Sequence, residues 1–174
     1  MTLFTSKVCI VGDFAVGKTS IAERFVNNHF SESYLTTIGV KIDTKLIEVP
    51  DLGVSHKLVI WDIAGSDRFE HTEFAYLRGA SGYIYVIDGT RTSTLRSAMS
   101  LEEQVTDRFG SAPSVVLLNK SDLAGDWDVN ESSVKALHAH FGAVFKTSAK
   151  TGDAVERAFE KLARRILDND MRAE

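Results

Sequence analysis

"KVCIVGDFAVGKTSIAERFVNN", residues 7–28, decides the fold. A short apolar run, "KVCIVG", ends in glycine, and "KTSIAERFVNN" follows with helical character. Between them "GDFAVGKT", residues 12–19, matches G-x-x-x-x-G-K-[ST] in the strand-to-helix context that the pattern requires. Gly12 and Gly17 let the loop wrap so that backbone N–H groups point at phosphate oxygens. The following helix adds its positive N-terminal end. Lys18 is expected to reach β- and γ-phosphates, and the Thr19 hydroxyl to bind Mg²⁺. The alternative is a chance match in a glycine-containing turn, and the flanking strand and helix weigh against it.

Outward from this stretch, strand and helix alternate. Residues 40–49 and 55–62 read as two strands joined by the turn "PDLGV". "GYIYVID" and "SVVLLN" are nearly continuous apolar runs, as in strands covered on both faces. Residues 92–109 carry Leu95, Met99, Val105 and Phe109 at helical spacing, and the last segment lines up Val155, Ala158, Phe159, Leu162 and Ile166. About six strands and five helices imply a layered α/β domain spanning residues 1–174, with right-handed crossovers. Ligands of such sheets bind where strands end.

Three more motifs sit at strand ends. "DIAG" follows "KLVIW", and Asp62 there can hold Mg²⁺ through oxygen while the Gly65 N–H meets a γ-phosphate. "NKSD", residues 119–122, follows "SVVLL", and "TSAK", residues 147–150, follows "AVF". Each alone is compatible with a turn. Their order is what carries weight, and with it the chain resembles a small GTPase of the Ras superfamily over roughly residues 5–168. "TIGVKI", "KLVIWDIAG", "YLRGA" and "GYIYVID" resemble segments of the Rab branch.

The resemblance implies a three-layer P-loop GTPase domain with a six-stranded, mostly parallel sheet, binding GTP or GDP with Mg²⁺. It implies a nucleotide-binding set of Gly12, Asp13, Phe14, Ala15, Val16, Gly17, Lys18, Thr19 and Ser20, with Phe30 on the edge of the base and Tyr34 closing over the phosphates. Asp122 would accept from guanine N1–H and its amino group, a donor pair adenine lacks. Lys120 would lie over the base, and Asn119 would tie this loop to residues 12–19. The Ala149 N–H would meet guanine O6, buttressed by Ser148 and Lys150. Thr19, Asp62 and, with a γ-phosphate present, Thr37 would serve the metal. Thr37 and Gly65 would then order loops 31–42 and 65–78, whose surfaces effectors and regulators read.

The chain also departs from that family's pattern. Ser66 stands where a glutamine orients the attacking water, so the catalytic set reduces to Lys18, Gly65 and a short hydroxyl. Asp67 replaces the Glu usual in Rab-type chains. Phe14 and Ala15 replace small residues, and Phe14 either crowds the space of an incoming arginine finger or packs against a switch loop. His71 as a substitute for the glutamine is a weaker reading than an exposed helix residue, and Arg91 as a finger in cis is a weak reading. "HAH", residues 138–140, reads as helix surface, since i and i+2 do not share a face. Three functions remain open: a slow GTP-hydrolysing switch, a GTP-locked scaffold, and a P-loop kinase. The kinase leaves "NKSD" and "TSAK" unexplained.

Composition fits this frame. The net charge of −4 argues against nucleic acid as a partner. The single cysteine, Cys9, excludes an internal disulfide, reads as a core residue and suits a cytosolic compartment. No apolar run approaches the ~18 residues of a membrane span. The sequence ends "LDNDMRAE" without a prenylatable cysteine, so peripheral membrane attachment is expected only if a further tail exists.

Overall fold

The computed structural model describes residues 2–31, 39–65 and 71–173, without the side chains of His71 and Thr72. Tyr34, Thr37, Ser66 and Asp67, all named above, lie outside the described residues. Along the chain run β1 (Thr2–Val11), α1 (Lys18–Asn27), β2 (Val40–Val49), β3 (Val54–Ile63), α2 (His71–Tyr76), β4 (Gly82–Asp88), α3 (Thr92–Phe109), β5 (Ser114–Asn119), α4 (Glu131–Phe141), β6 (Val144–Lys146) and α5 (Val155–Ala173). Among the described residues, six strands and five α-helices match the expected count.

The sheet has the order β2-β3-β1-β4-β5-β6, and only the β2–β3 pair is antiparallel. The period-2 alternation of β1 sorts its core residues onto two faces. Val8 and Ile10 pack with α1 and α5, where Phe25 stacks on Phe159 at 3.9 Å between centroids. Cys9 and Val11 face the cluster that holds Phe74 of α2, Leu95 of α3 and Leu137 of α4. The result is three layers, helices on either side of the sheet. Because both faces of β4 are covered, all seven of its residues are buried, which is why it reads as an unbroken apolar run. Cys9 is fully buried, and burial pushes its thiol up to about 12 against the pull of Lys7, so it stays a core thiol.

Two expectations need correction. β1 begins at Thr2, five residues before its apolar run, because residues 2–6 continue the parallel pairing with β3 (Thr2↔Val54 to Ser6↔Leu58) although their outer side chains are exposed. In α3 the buried stripe is Thr94, Leu95, Ala98, Leu101 and Val105. Phe109 ends the helix 38% exposed, and the place over the Phe74 ring is taken by the Arg108 guanidinium, 3.9 Å from its centroid.

β1 is flanked by β3 on one side and β4 on the other, so the chain leaves it in both directions. The crevice at the C-terminal end of β1 is therefore the switch point at which open α/β sheets hold ligands.

Candidate functional site

The 12–19 loop leaves β1 at this switch point and enters α1 through Gly17, whose φ of 104° places it in the left-handed region at the helix start. No Cβ fits there: one at Gly17 would lie 2.3 Å from Asn119 Nδ2, and one at Gly12 2.5 Å from the Val86 carbonyl oxygen. Gly65 approaches from the end of β3, where a Cβ would meet Lys18 Nζ at 2.6 Å and the Asp13 backbone at 2.7 Å. The sequence-predicted glycines are thus the points at which backbone must come close.

Lys18 is nearly buried. Its ammonium donates to the carbonyls of Gly12 (3.0 Å) and Asp13 (2.9 Å). Burial pulls its pKa down to about 8, against Asp62 and Asp13, which raise it. Beside it the Thr19 hydroxyl donates to Asp62 Oδ2 at 2.5 Å, and Asp62 is 1% exposed. A hydroxyl and a carboxylate from two elements therefore converge beside the 12–19 loop. That donor set suits a hard cation that takes one or two protein oxygens and completes its shell with phosphate and water. Among the described residues no cluster of three or more His, Cys, Asp or Glu side chains offers a competing site.

The "NKSD" and "TSAK" loops meet at the same end of the sheet. Asn119 Nδ2 donates to the Val16 carbonyl (2.9 Å), the tie the sequence predicted, while its Oδ1 accepts from Thr147 (3.2 Å). Lys120 Nζ donates to the Ala15 carbonyl (3.1 Å). Ser148 is fully buried and donates its hydroxyl to Asp122 Oδ1 (2.8 Å), fixing that carboxylate. Ala149 is 4% exposed, and Phe30 packs against the core cluster to which Ala149 belongs. Phe14 stands 48% exposed at the mouth.

Several supports escaped the sequence reading. Arg24 of α1 donates to the carbonyls of Ala149 (2.8 Å) and Lys150 (2.5 Å), holding the "TSAK" loop from behind. Trp127 donates its indole N–H to the Lys120 carbonyl (2.8 Å), and its ring sits where Gly89 has no Cβ, 2.2 Å from the position one would take. Asp88, 1% exposed, accepts from Lys120 Nζ (2.8 Å), Arg91 Nε (3.0 Å) and both the amide and the hydroxyl of Thr90. Burial would raise its pKa, and those donors outweigh it, so the carboxyl stays below its ordinary value. A carboxylate closing an apolar strand is the one signal that could have drawn attention to it.

Of the weaker candidates, His71 opens α2. His140 pairs with Glu102 of α3 at 2.7 Å on the surface, as expected of "HAH". Arg91 pairs with the buried Asp88 carboxylate at 3.0 Å.

The Ras family model matches residues 7–168. Ras-related protein Rab-1C of Dictyostelium discoideum is 39% identical over 161 residues, 90% of this chain and 78% of that protein. Ras-related protein Rab-32C of the same organism is 34% identical over 167 residues (94% and 74%), and Ras-related protein Rab-13 of Canis lupus familiaris 34% over 163 (92% and 79%). With the match covering nearly the whole fold and the four motifs gathered at one sheet end, the chain belongs to the Ras family and is a Rab-like GTP-binding switch with GTPase activity.

Proposed function

We propose that this switch holds Mg²⁺ with its nucleotide, reads guanine through Asp122 and hydrolyses GTP slowly. The observation that carries the reading is the Thr19–Asp62 pair at 2.5 Å beside the buried Lys18, which brings the two oxygen ligands and the phosphate-binding cation together. Thr19 and Asp62 would hold Mg²⁺, which would supply neutralisation of phosphate charge.

The chain's own groups set the rate. Lys18 can exchange its two loop carbonyls for phosphate oxygens, so charge stabilisation survives. Positioning of water is what Ser66 lacks, since one hydroxyl on a short stem cannot orient the water and meet the developing charge together. The exposed Phe14 ring narrows the approach of an arginine from an activating protein. Thr37 and Gly65 would couple the γ-phosphate to loops 31–42 and 65–78. Partner recognition next to them is supported by Ile42, 49% exposed, and by the neighbouring Trp61 and Tyr76 rings, 6.5 Å apart. No helix among the described residues is long and apolar enough to cross a membrane.

Single-turnover hydrolysis of GTP tests this. Wild type should turn over at or below the order of 10⁻⁴ s⁻¹, the unaided small-GTPase range, and Ser66→Gln should be faster. EDTA should accelerate nucleotide release. A wild-type rate above about 10⁻² s⁻¹, the range with an arginine supplied in cis, contradicts the slow switch. An undetectable rate with GTP retained identifies the locked scaffold instead.

A further inference from the structure

Three consecutive peptide groups of the 12–19 loop have their carbonyls held from outside. Arg91 Nη2 donates to the Phe14 carbonyl at 2.8 Å, Lys120 Nζ to that of Ala15 at 3.1 Å and Asn119 Nδ2 to that of Val16 at 2.9 Å. In a planar trans peptide the C=O and the following N–H point in opposite directions. Fixing these carbonyls outward therefore turns the N–H groups of Ala15, Val16 and Gly17 inward, the arrangement of an anion-binding nest. The nest needs such support, because Ala15 sits at φ 62°, a left-handed conformation disfavoured for a non-glycine residue.

Lys120 and Asn119 belong to the "NKSD" motif; no motif accounts for Arg91. Its guanidinium has the shape for two tasks at once. Nε lies on the buried Asp88 carboxylate, which also anchors Lys120, and Nη2 extends to the loop. A lysine, with one point of charge on a flexible stem, cannot make that forked contact equally well.

We propose that Arg91 is a positioning residue that presets the phosphate-binding amides by bracing the Phe14 carbonyl against Asp88, and thereby slows nucleotide release. The proposal rests on the nucleotide-site reading above and adds to it a residue that acts through the loop backbone. It differs from a finger in cis, since the guanidinium's role is to hold the Phe14 carbonyl and Asp88 rather than to meet the reacting phosphate.

Release of fluorescent GDP from wild type, R91A and R91K, with and without EDTA, tests it. R91A should release about 5- to 20-fold faster, below the scale of a buried charge-assisted hydrogen bond because the Arg91 side chain is 41% exposed, and the ratio should persist in EDTA because the brace does not act through the metal. R91K should fall between the two, and serves as the variant if R91A does not fold. Release from both variants within twofold of wild type overturns the proposal. So does unchanged release with slower single-turnover hydrolysis, which would make Arg91 a participant in the chemistry. If wild type itself fails to retain GDP, the nucleotide-site reading falls first and the brace with it.

Discussion

Asp88 and His56 are polar side chains buried at opposite ends of the sheet, and their surroundings differ. Asp88 closes β4 beside the 12–19 loop, and both its oxygens are occupied by donors from Thr90, Arg91 and Lys120. His56 lies near the start of β3, opposite Phe4 of β1, and is fully buried; its Nε2 meets the Ser6 hydroxyl at 2.8 Å, while Nδ1 has no partner among the described residues. A buried charge is tolerated only when fully paired, whereas a neutral ring can forgo one bond at moderate cost. At the nucleotide end, burial of polarity connects loops. At the far end it makes a single bond between neighbouring strands.

Removing Asp88 should have the larger effect. Asp88→Ala leaves Lys120 and Arg91 facing each other without their carboxylate. We expect destabilisation of roughly 2–3 kcal/mol, at or below the range for a broken buried pair because both cations are about a third or more exposed. Urea unfolding measures the first consequence; faster GDP release, the second. If Asp88→Ala unfolds like wild type and keeps its nucleotide as long, the buried carboxylate does not join the loops.

His56→Leu should change stability by only about 1 kcal/mol, since it removes one unsatisfied nitrogen but deprives Ser6 of its partner. GDP release should not change. The variant also has a pH signature. Burial lowers the His56 pKa from its ordinary 6.5, with the Asp170 charge opposing. As pH falls below 6.5 the unfolded chain takes the proton first, so wild type loses this stability until the lower folded pKa is passed. Urea midpoints between pH 7 and pH 5 should therefore decline less in His56→Leu. Equal slopes in both proteins would show that His56 does not titrate differently on folding.

The same contrast explains what the sequence discloses. Motifs reveal residues whose chemistry requires fixed neighbours along the chain: the loop glycines, Lys18 and Thr19 within residues 12–19, and Asn119 to Asp122 within one turn. α5 is legible too, because Val155, Ala158, Phe159, Leu162 and Ile166 repeat at the helical period and are all buried. The loop contacts of Arg91 and Arg24 are not legible, because they reach backbone carbonyls 77 and 125 residues away, and a carbonyl leaves no mark on residue type. Gly89 is readable only once the Trp127 ring is seen against it. Phe109 misleads because periodicity continues to the helix end although coverage does not.

The central claim is that the loops gathered at the C-terminal end of the sheet read a guanine base through Asp122, whose carboxylate Ser148 holds at 2.8 Å. Titration calorimetry of nucleotide-stripped protein with GTP and with ATP, in Mg²⁺, tests it most directly. Asp122 is exposed; once a base covers it, an acceptor without its donor pair costs about 1–3 kcal/mol per bond, so GTP should bind at least about thirtyfold tighter than ATP. Asp122→Asn should move the preference toward xanthosine triphosphate, whose 2-oxo group accepts where guanine donates. ATP binding within about tenfold of GTP, with Asp122→Asn leaving that ratio untouched, would contradict the account.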